Sequence, residues 1–208
     1  IQSQCGRWFA IRITPVNDNA HRLVVTHEDV TTLKLTQLAS LALANVDHLT
    51  GALSRQNFLN LAEQELARSL RYALPLVLLM LDLDHFKDVN DRYGHAAGDA
   101  VLKSFVDTVK EVLRDSDVIG RIGGEEFAVL LPNTTQEGGC ALANRILGAI
   151  RAKPVTFEGK CVAYTVSIGA SHLAGQKSFG ELLAESDAAM YRAKKTGRDR
   201  LEVSWVGS

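Results

Sequence analysis

Three cysteines in 208 residues, Cys5, Cys140 and Cys161, have the spacing of neither a disulfide framework nor a thiolate metal site, which fits a reducing compartment. Excess charge of one sign is also missing. Lys plus Arg number 23 and Asp plus Glu 24, a net charge of -1, so the chain does not coat nucleic acid or anionic membrane by bulk attraction. No apolar run is long enough to cross a bilayer: the longest, Leu74 to Leu81 including Pro75, stops at Asp82. No signal peptide is visible, and Ile1 is not preceded by methionine, so the chain reads as a piece of something longer. The expectation is a cytoplasmic domain, whose parent is free to be membrane-attached. With 46% apolar residues, the length allows one good-sized core plus an appendage.

What is present is a concentration of carboxylates at strand ends. Val118 to Ile122 and Phe127 to Leu131 read as two strands around Gly123-Gly124-Glu125-Glu126. A glycine pair at such a junction is a two-residue hairpin signal, which puts Glu125 and Glu126 at the tip, pointing to opposite faces. The plain alternative is a charged, solvated hairpin end. A second acidic site weighs against it. Leu76 to Leu81 is continuously apolar, as a central strand should be, and it ends in Asp82-Leu83-Asp84-His85-Phe86-Lys87. If this strand lies beside the hairpin, Asp82, Asp84, Glu125 and Glu126 crowd together. Each like pair at ~4 Å would then cost roughly 4 kcal/mol at an effective dielectric of about 20. A hard divalent cation removes that cost, and an all-oxygen site suits Mg²⁺ or Mn²⁺. Carboxylates that hold two metals and align an oxygen nucleophile with a phosphate are the parts of nucleotidyl transfer.

Residues 1–28 read as two strands and a turn, with Trp8 to Ile13 alternating, a break from Pro15 to Asn19, and Leu23 to Thr26 resuming. Residues 29–46 turn helical, with Asp29 or Thr31 as N-cap. Leu35, Leu38, Leu41, Ala42 and Asn45 form one stripe, able to pair with a second copy or to pack on the domain. From residue 47 to 208 helix and strand alternate. Helices are expected at 54–73, 96–114, 135–152 and 179–196. Strands are expected at 75–84, 154–158, 161–170 and 200–204, with the hairpin over 117–132. This is an α/β sheet with helices covering its faces.

The ordered blocks Asp47 to Gly51, Asp82 to Lys87, Asn90-Asp91, Gly94-His95, Gly98-Asp99 and Gly123 to Phe127 resemble the signatures of GGDEF-domain diguanylate cyclases. The resemblance covers about residues 46–205, with GGEEF in place of GGDEF. It implies a central, mainly antiparallel sheet covered by helices, related to the palm of nucleotide polymerases and class III nucleotide cyclases. It also implies two GTP condensed to cyclic di-GMP by a homodimer whose two domains face each other. Residues 1–28 resemble the last strands of a PAS sensor domain, with Asp29-Val30-Thr31 as its junction.

By that resemblance Asp82, Glu125, Glu126 and the Leu83 carbonyl hold two Mg²⁺ or Mn²⁺ ions, and Asp84 orients or caps instead. Either glutamate, or a metal alone, serves to take the proton from the attacking 3′-hydroxyl. Asn90 and Asp99 are assigned to guanine, whose adjacent N1–H and N2–H₂ donors suit a carboxylate; locally they read as a turn residue and a helix N-cap. Phe86, Lys87 and His95 flank the nucleotide. Gly123 and Gly124 leave room for phosphate oxygens, and Lys194 with Arg198 binds the triphosphate, Gly197 capping the helix between them. Arg192 and Lys195 read as solvated. Arg114 and Asp117 match the family's Arg-x-x-Asp site for inhibitory product, with Arg145 as a secondary arginine. The competing reading is a silent GGDEF module that binds GTP or cyclic di-GMP and regulates a partner.

Overall fold

The computed structural model describes residues 7–15, 23–33, 35, 45–175 and 178–205, and the chain divides into two units, Ile1–Ala44 and Asn45–Ser208. In the first, β1 (Phe9–Pro15) and β2 (Leu23–Asp29) pair antiparallel from Phe9↔Asp29 to Pro15↔Leu23. Pro15 ends the strand rather than breaking it, a position that tolerates a missing N–H. Asp29 Oδ1 accepts from the Thr31 N–H at 3.0 Å, the contact of an N-cap, and residues 31–33 are helical. Most of the linker helix expected over 29–46 lies outside the described residues.

The second unit has helices α1 (Arg55–Tyr72), α2 (Phe86–Tyr93), α3 (His95–Val112), α4 (Gln136–Ala152) and α5 (Phe179–Lys195). Its strands are β3 (Leu76–Leu83), β4 (Val118–Gly123), β5 (Glu126–Pro132), β6 (Val155–Phe157), β7 (Lys160–Val162), β8 (Val166–His172) and β9 (Leu201–Val203). Five of them form a sheet in the order β4-β5-β3-β8-β9, antiparallel except between β8 and β9. The central strand is β3, and all eight of its residues are buried. Its alternation splits the core. Val77, Leu79, Leu81 and Leu83 pack with Val101, Phe105, Ile146 and Ile150 of α3 and α4. Leu76, Leu78 and Met80 pack with Phe58, Leu66, Leu182 and Met190 of α1 and α5. Two helical layers therefore sandwich one sheet, as expected for this α/β pattern.

Two expectations change. A strand over 161–170 is really two: β7 pairs with β6 in a separate ribbon, and only β8 joins the sheet. The chain between them carries Tyr164 into the core, so one extended run serves two sheets. The segment after β3 holds the second change, a helix where the local sequence suggests a turn at Asn90. In α2, Phe86, Val89 and Tyr93 put an apolar stripe at three and four residues, but Asn90, Asp91 and Gly94 disguise it as a loop.

Candidate active site

The ends of β3, β5 and α5 meet at Asp82. It is 5% exposed, pairs in register with Glu126 on β5 and Ser167 on β8, and its Oδ2 lies 2.6 Å from Lys194 Nζ. Burial pushes the Asp82 carboxyl up to about 6, against the hydrogen bond and charge of Lys194; Glu125 and Glu126 push it the same way. Asp82 thus has one ammonium partner against the like charge of two glutamates. Among the described residues no three acidic, His or Cys side chains close into a metal nest by themselves. The donor set nonetheless fits a hard divalent ion: oxygen ligands, one of them buried and short of positive charge.

The turn that carries the glutamates is shifted by one residue from the expected glycine pair. Gly123 and Glu126 are the closing pair, a bulge separates Arg121 from Gly123, and the turn residues are Gly124 and Glu125. Only Gly124 needs the left-handed region, at φ 52. Glu125 therefore sits in the turn itself, not on a strand, and its carbonyl accepts from the Leu83 N–H at 3.4 Å. Gly123 and Gly124 are both exposed.

Arg121 ties this turn down. Its Nε donates to the Gly124 carbonyl at 2.9 Å, and its Nη1 reaches both Asp47 oxygens at 3.0 and 3.1 Å. Asp47 also accepts from the Thr50 N–H and hydroxyl, at 2.9 and 2.6 Å. Although burial raises the Asp47 carboxyl, the hydrogen bonds from Thr50 and Arg121 win and hold it below its ordinary value. Nothing in the sequence around Arg121 marks this bond; Asp47 lies 74 residues away.

On the other side of β3, Asn90 lies inside α2 and Asp99 inside α3, so neither is the turn residue or N-cap that its local sequence suggests. Gly94 is the N-cap of α3, and His95 is that helix's exposed first residue. A Cβ on Gly98 would stand 2.0 Å from Asn90 Oδ1 and 3.1 Å from Phe86 Cζ. The bare Gly98 backbone is what lets α2 seat Asn90 and Phe86 against α3, next to the exposed Asp99. Lys87 is exposed on the first turn of α2.

At the end of α5 the C-cap is Thr196, with Gly197 one position beyond it. Lys194 turns in to Asp82, while Arg198 is exposed. Arg192, expected to be only solvated, donates to the Val203 carbonyl at 2.8 Å and fastens α5 to β9. Among the described residues Asp84 pairs with no cation: its two oxygens accept from Ser167 Oγ, Thr165 Oγ1 and the Asp199 N–H at 2.6, 2.7 and 3.0 Å.

Below the start of β4, Arg114, Asp117 and Arg145 line one cavity of about 110 Å³ together with Thr134, Gly138, Ala141 and Leu142. Asp117 Oδ2 accepts from the Arg114 backbone N–H at 2.9 Å, and Arg145 donates to the Val112 carbonyl at 3.3 Å. The Arg114 side chain is not needed to close that turn.

A buried aspartate beside a Gly-Gly-Glu-Glu turn, on a β4-β5-β3-β8-β9 sheet, defines a class. The family model for the diguanylate cyclase GGDEF domain matches residues 44–200, and the chain belongs to that family. Diguanylate cyclase DgcP of Pseudomonas aeruginosa is 45% identical over 161 residues, which are 77% of this chain and 24% of that protein. The probable diguanylate cyclase DgcF of Escherichia coli K12 is 38% identical over 169 residues, 79% of this chain and 53% of the relative. The chain thus spans from about a quarter to about half of these relatives' length. Among solved structures, the GGDEF domain of DgcB from Caulobacter crescentus, in complex with c-di-GMP, aligns with a TM-score of 0.76 at 27% identity. That alignment covers 78% of this chain and 94% of the other. The active GGEEF domain of a diguanylate cyclase from Vibrio cholerae aligns at 0.69 and 31% identity, over 74% and 98% of the two chains.

Proposed function

We propose that this chain is a diguanylate cyclase that condenses two GTP into cyclic di-GMP and two pyrophosphates. The observation that carries the reading is the pairing of Asp82 with the Glu125–Glu126 turn on one side and Lys194 on the other. Asp82, Glu125, Glu126 and the Leu83 carbonyl would hold one or two Mg²⁺ or Mn²⁺ ions. When bound, such ions supply charge for the triphosphate and lower the pKa of the attacking hydroxyl. Lys194 and Arg198 grip the triphosphate, and its arrival draws Lys194 away from Asp82. Asn90 and Asp99 read the guanine edge across the α2–α3 seam, with Phe86 beneath it and Lys87 and His95 at its rim. Glu125 or Glu126 receives the proton of the 3′-hydroxyl.

A cyclic dinucleotide needs two such sites facing each other, so the working unit is a homodimer around a two-fold axis. The face that bears Arg114, Asp117 and Arg145 takes an edge of cyclic di-GMP as inhibitor, since two guanidinium groups and a carboxylate match a phosphate and a guanine edge. Residues 1–28 are the end of a PAS-like sensor and 29–46 its helical linker; the two-stranded β1–β2 ribbon supports that division. Among the described residues no helix is long and apolar enough to span a membrane, and we place the domain in the cytoplasm, where its substrate is held.

Pyrophosphate release from GTP in Mg²⁺ tests the assignment. Wild type releases it; Glu125→Gln keeps size and fold but removes a ligand charge, and turnover falls by at least about a hundredfold. Wild-type turnover in Glu125→Gln would remove Glu125 from the metal site.

A further inference from the structure

We infer that Asp84 is a positioning residue for the triphosphate end of the site: through the Asp199 backbone it holds the left-handed turn that presents Arg198. The inference rests on the reading of Arg198 as a triphosphate ligand. After α5 the chain runs through three consecutive positive φ values, 125 at Gly197, 60 at Arg198 and 46 at Asp199. Only the first residue is a glycine. Left-handed backbone is disfavoured wherever a Cβ is present, so two such residues in succession need outside restraint.

Three restraints converge. The Arg198 N–H donates to the Ala193 carbonyl at 2.9 Å. Arg151 donates to Asp199 from outside, to Oδ2 at 2.7 Å and to the carbonyl at 2.8 Å. From the buried side, Asp84 Oδ2 accepts the Asp199 N–H at 3.0 Å. Asp84 is 4% exposed and lies one residue past β3, two residues from Asp82. Its other contacts fix it to β8 and the residue before it: Ser167 Oγ to Oδ1, Thr165 Oγ1 to Oδ2, and its own N–H to the Thr165 carbonyl at 2.9 Å. One carboxylate therefore joins the strand that carries Asp82, the start of β8 and the Arg198 turn. It sets the spacing between the buried acidic end of the site and its exposed cation.

The test compares wild type, Asp84→Ala, Asp84→Asn, Arg198→Ala and the Asp84→Ala/Arg198→Ala double variant in Mg²⁺. Binding is titrated with 3′-deoxy-GTP, which lacks the attacking hydroxyl, and with guanosine, which lacks the triphosphate. Asp84→Ala and Arg198→Ala should each weaken 3′-deoxy-GTP about tenfold, the size of one phosphate contact, with guanosine unchanged. The double variant should bind no more weakly than either single one, because both lose the same contact. Asp84→Asn keeps an oxygen for the Asp199 N–H by turning its amide nitrogen to Ser167 Oγ. It should lower the Tm, since the Ser167 hydroxyl loses its acceptor, yet bind 3′-deoxy-GTP within about twofold of wild type. Should Asp84→Ala not fold, the Asn variant decides alone: tenfold weaker 3′-deoxy-GTP with unchanged guanosine overturns the inference. So does wild-type affinity in Asp84→Ala, or additive losses in the double variant. Wild type that binds no 3′-deoxy-GTP overturns the functional reading itself, which separates the two failures.

Discussion

Asp82→Asn should make the protein more stable and catalytically dead. Asp82 has a side chain 7% exposed, and its carboxyl is raised from 3.8 to about 6 with the help of Lys194 already included. A folded-state pKa above the unfolded value means that this group favours folding least when ionised. Stability is highest below about pH 4, is lost as pH rises toward 6, and stays lost above it. The difference amounts to about 3 kcal/mol. The asparagine removes that penalty; the bond it gives up to Lys194 is already counted in the raised pKa, and the Lys194 side chain, 30% exposed, reaches water. The gain of about 3 kcal/mol at pH 8 in EDTA corresponds to a rise in Tm of roughly 6–12 °C for a domain of this size. At pH 4 the gain should shrink to nearly nothing, because the wild-type carboxyl is already protonated in the folded state. Thermal melts at both pH values provide the assay. Mg²⁺ with 3′-deoxy-GTP should then stabilise wild type and not the variant. A Tm lowered equally at pH 8 and pH 4 would refute the account of Asp82 as a strained, charge-starved ligand.

Asp99→Ser should let ATP compete with GTP, since the carboxylate that repels adenine N1 is gone; an unchanged ratio of GTP to ATP turnover would leave Asp99 only a solvated helix residue. Arg114→Ala should raise the concentration of cyclic di-GMP that halves turnover by about tenfold, with initial rates unaltered. The turn survives the substitution because Asp117 holds the Arg114 backbone. Progress curves with added product check it, and equal inhibition of both proteins would contradict the assignment.

Much of the fold is legible locally. The run Leu76 to Leu81 reads as a central strand because a strand buried on both faces has no polar residue to alternate with. The helices α1, α3, α4 and α5 lie within two residues of their expected bounds, since each keeps a long amphipathic period. Short elements are less legible: the eight residues of α2 hold two apolar turns and three turn-forming residues, and the pattern balances on tertiary contact with Gly98. Register at the Gly-Gly-Glu-Glu turn is off by one because a bulge after Arg121 has no sequence mark. What cannot be read locally are bonds between distant segments. Asp84 and Asp199 are 115 residues apart, and Asp47 and Arg121 are 74 apart. Nearby carboxylates and cations suggest where chemistry gathers; they do not say which of them holds the others in place.

The central claim is tested most directly by the mass of the product that wild type forms from GTP in Mg²⁺. The account predicts a dinucleotide of two guanosine monophosphates closed into a ring, carrying no terminal phosphate, with two pyrophosphates released for each. Unreacted GTP, or a linear dinucleotide that retains its triphosphate, would contradict it.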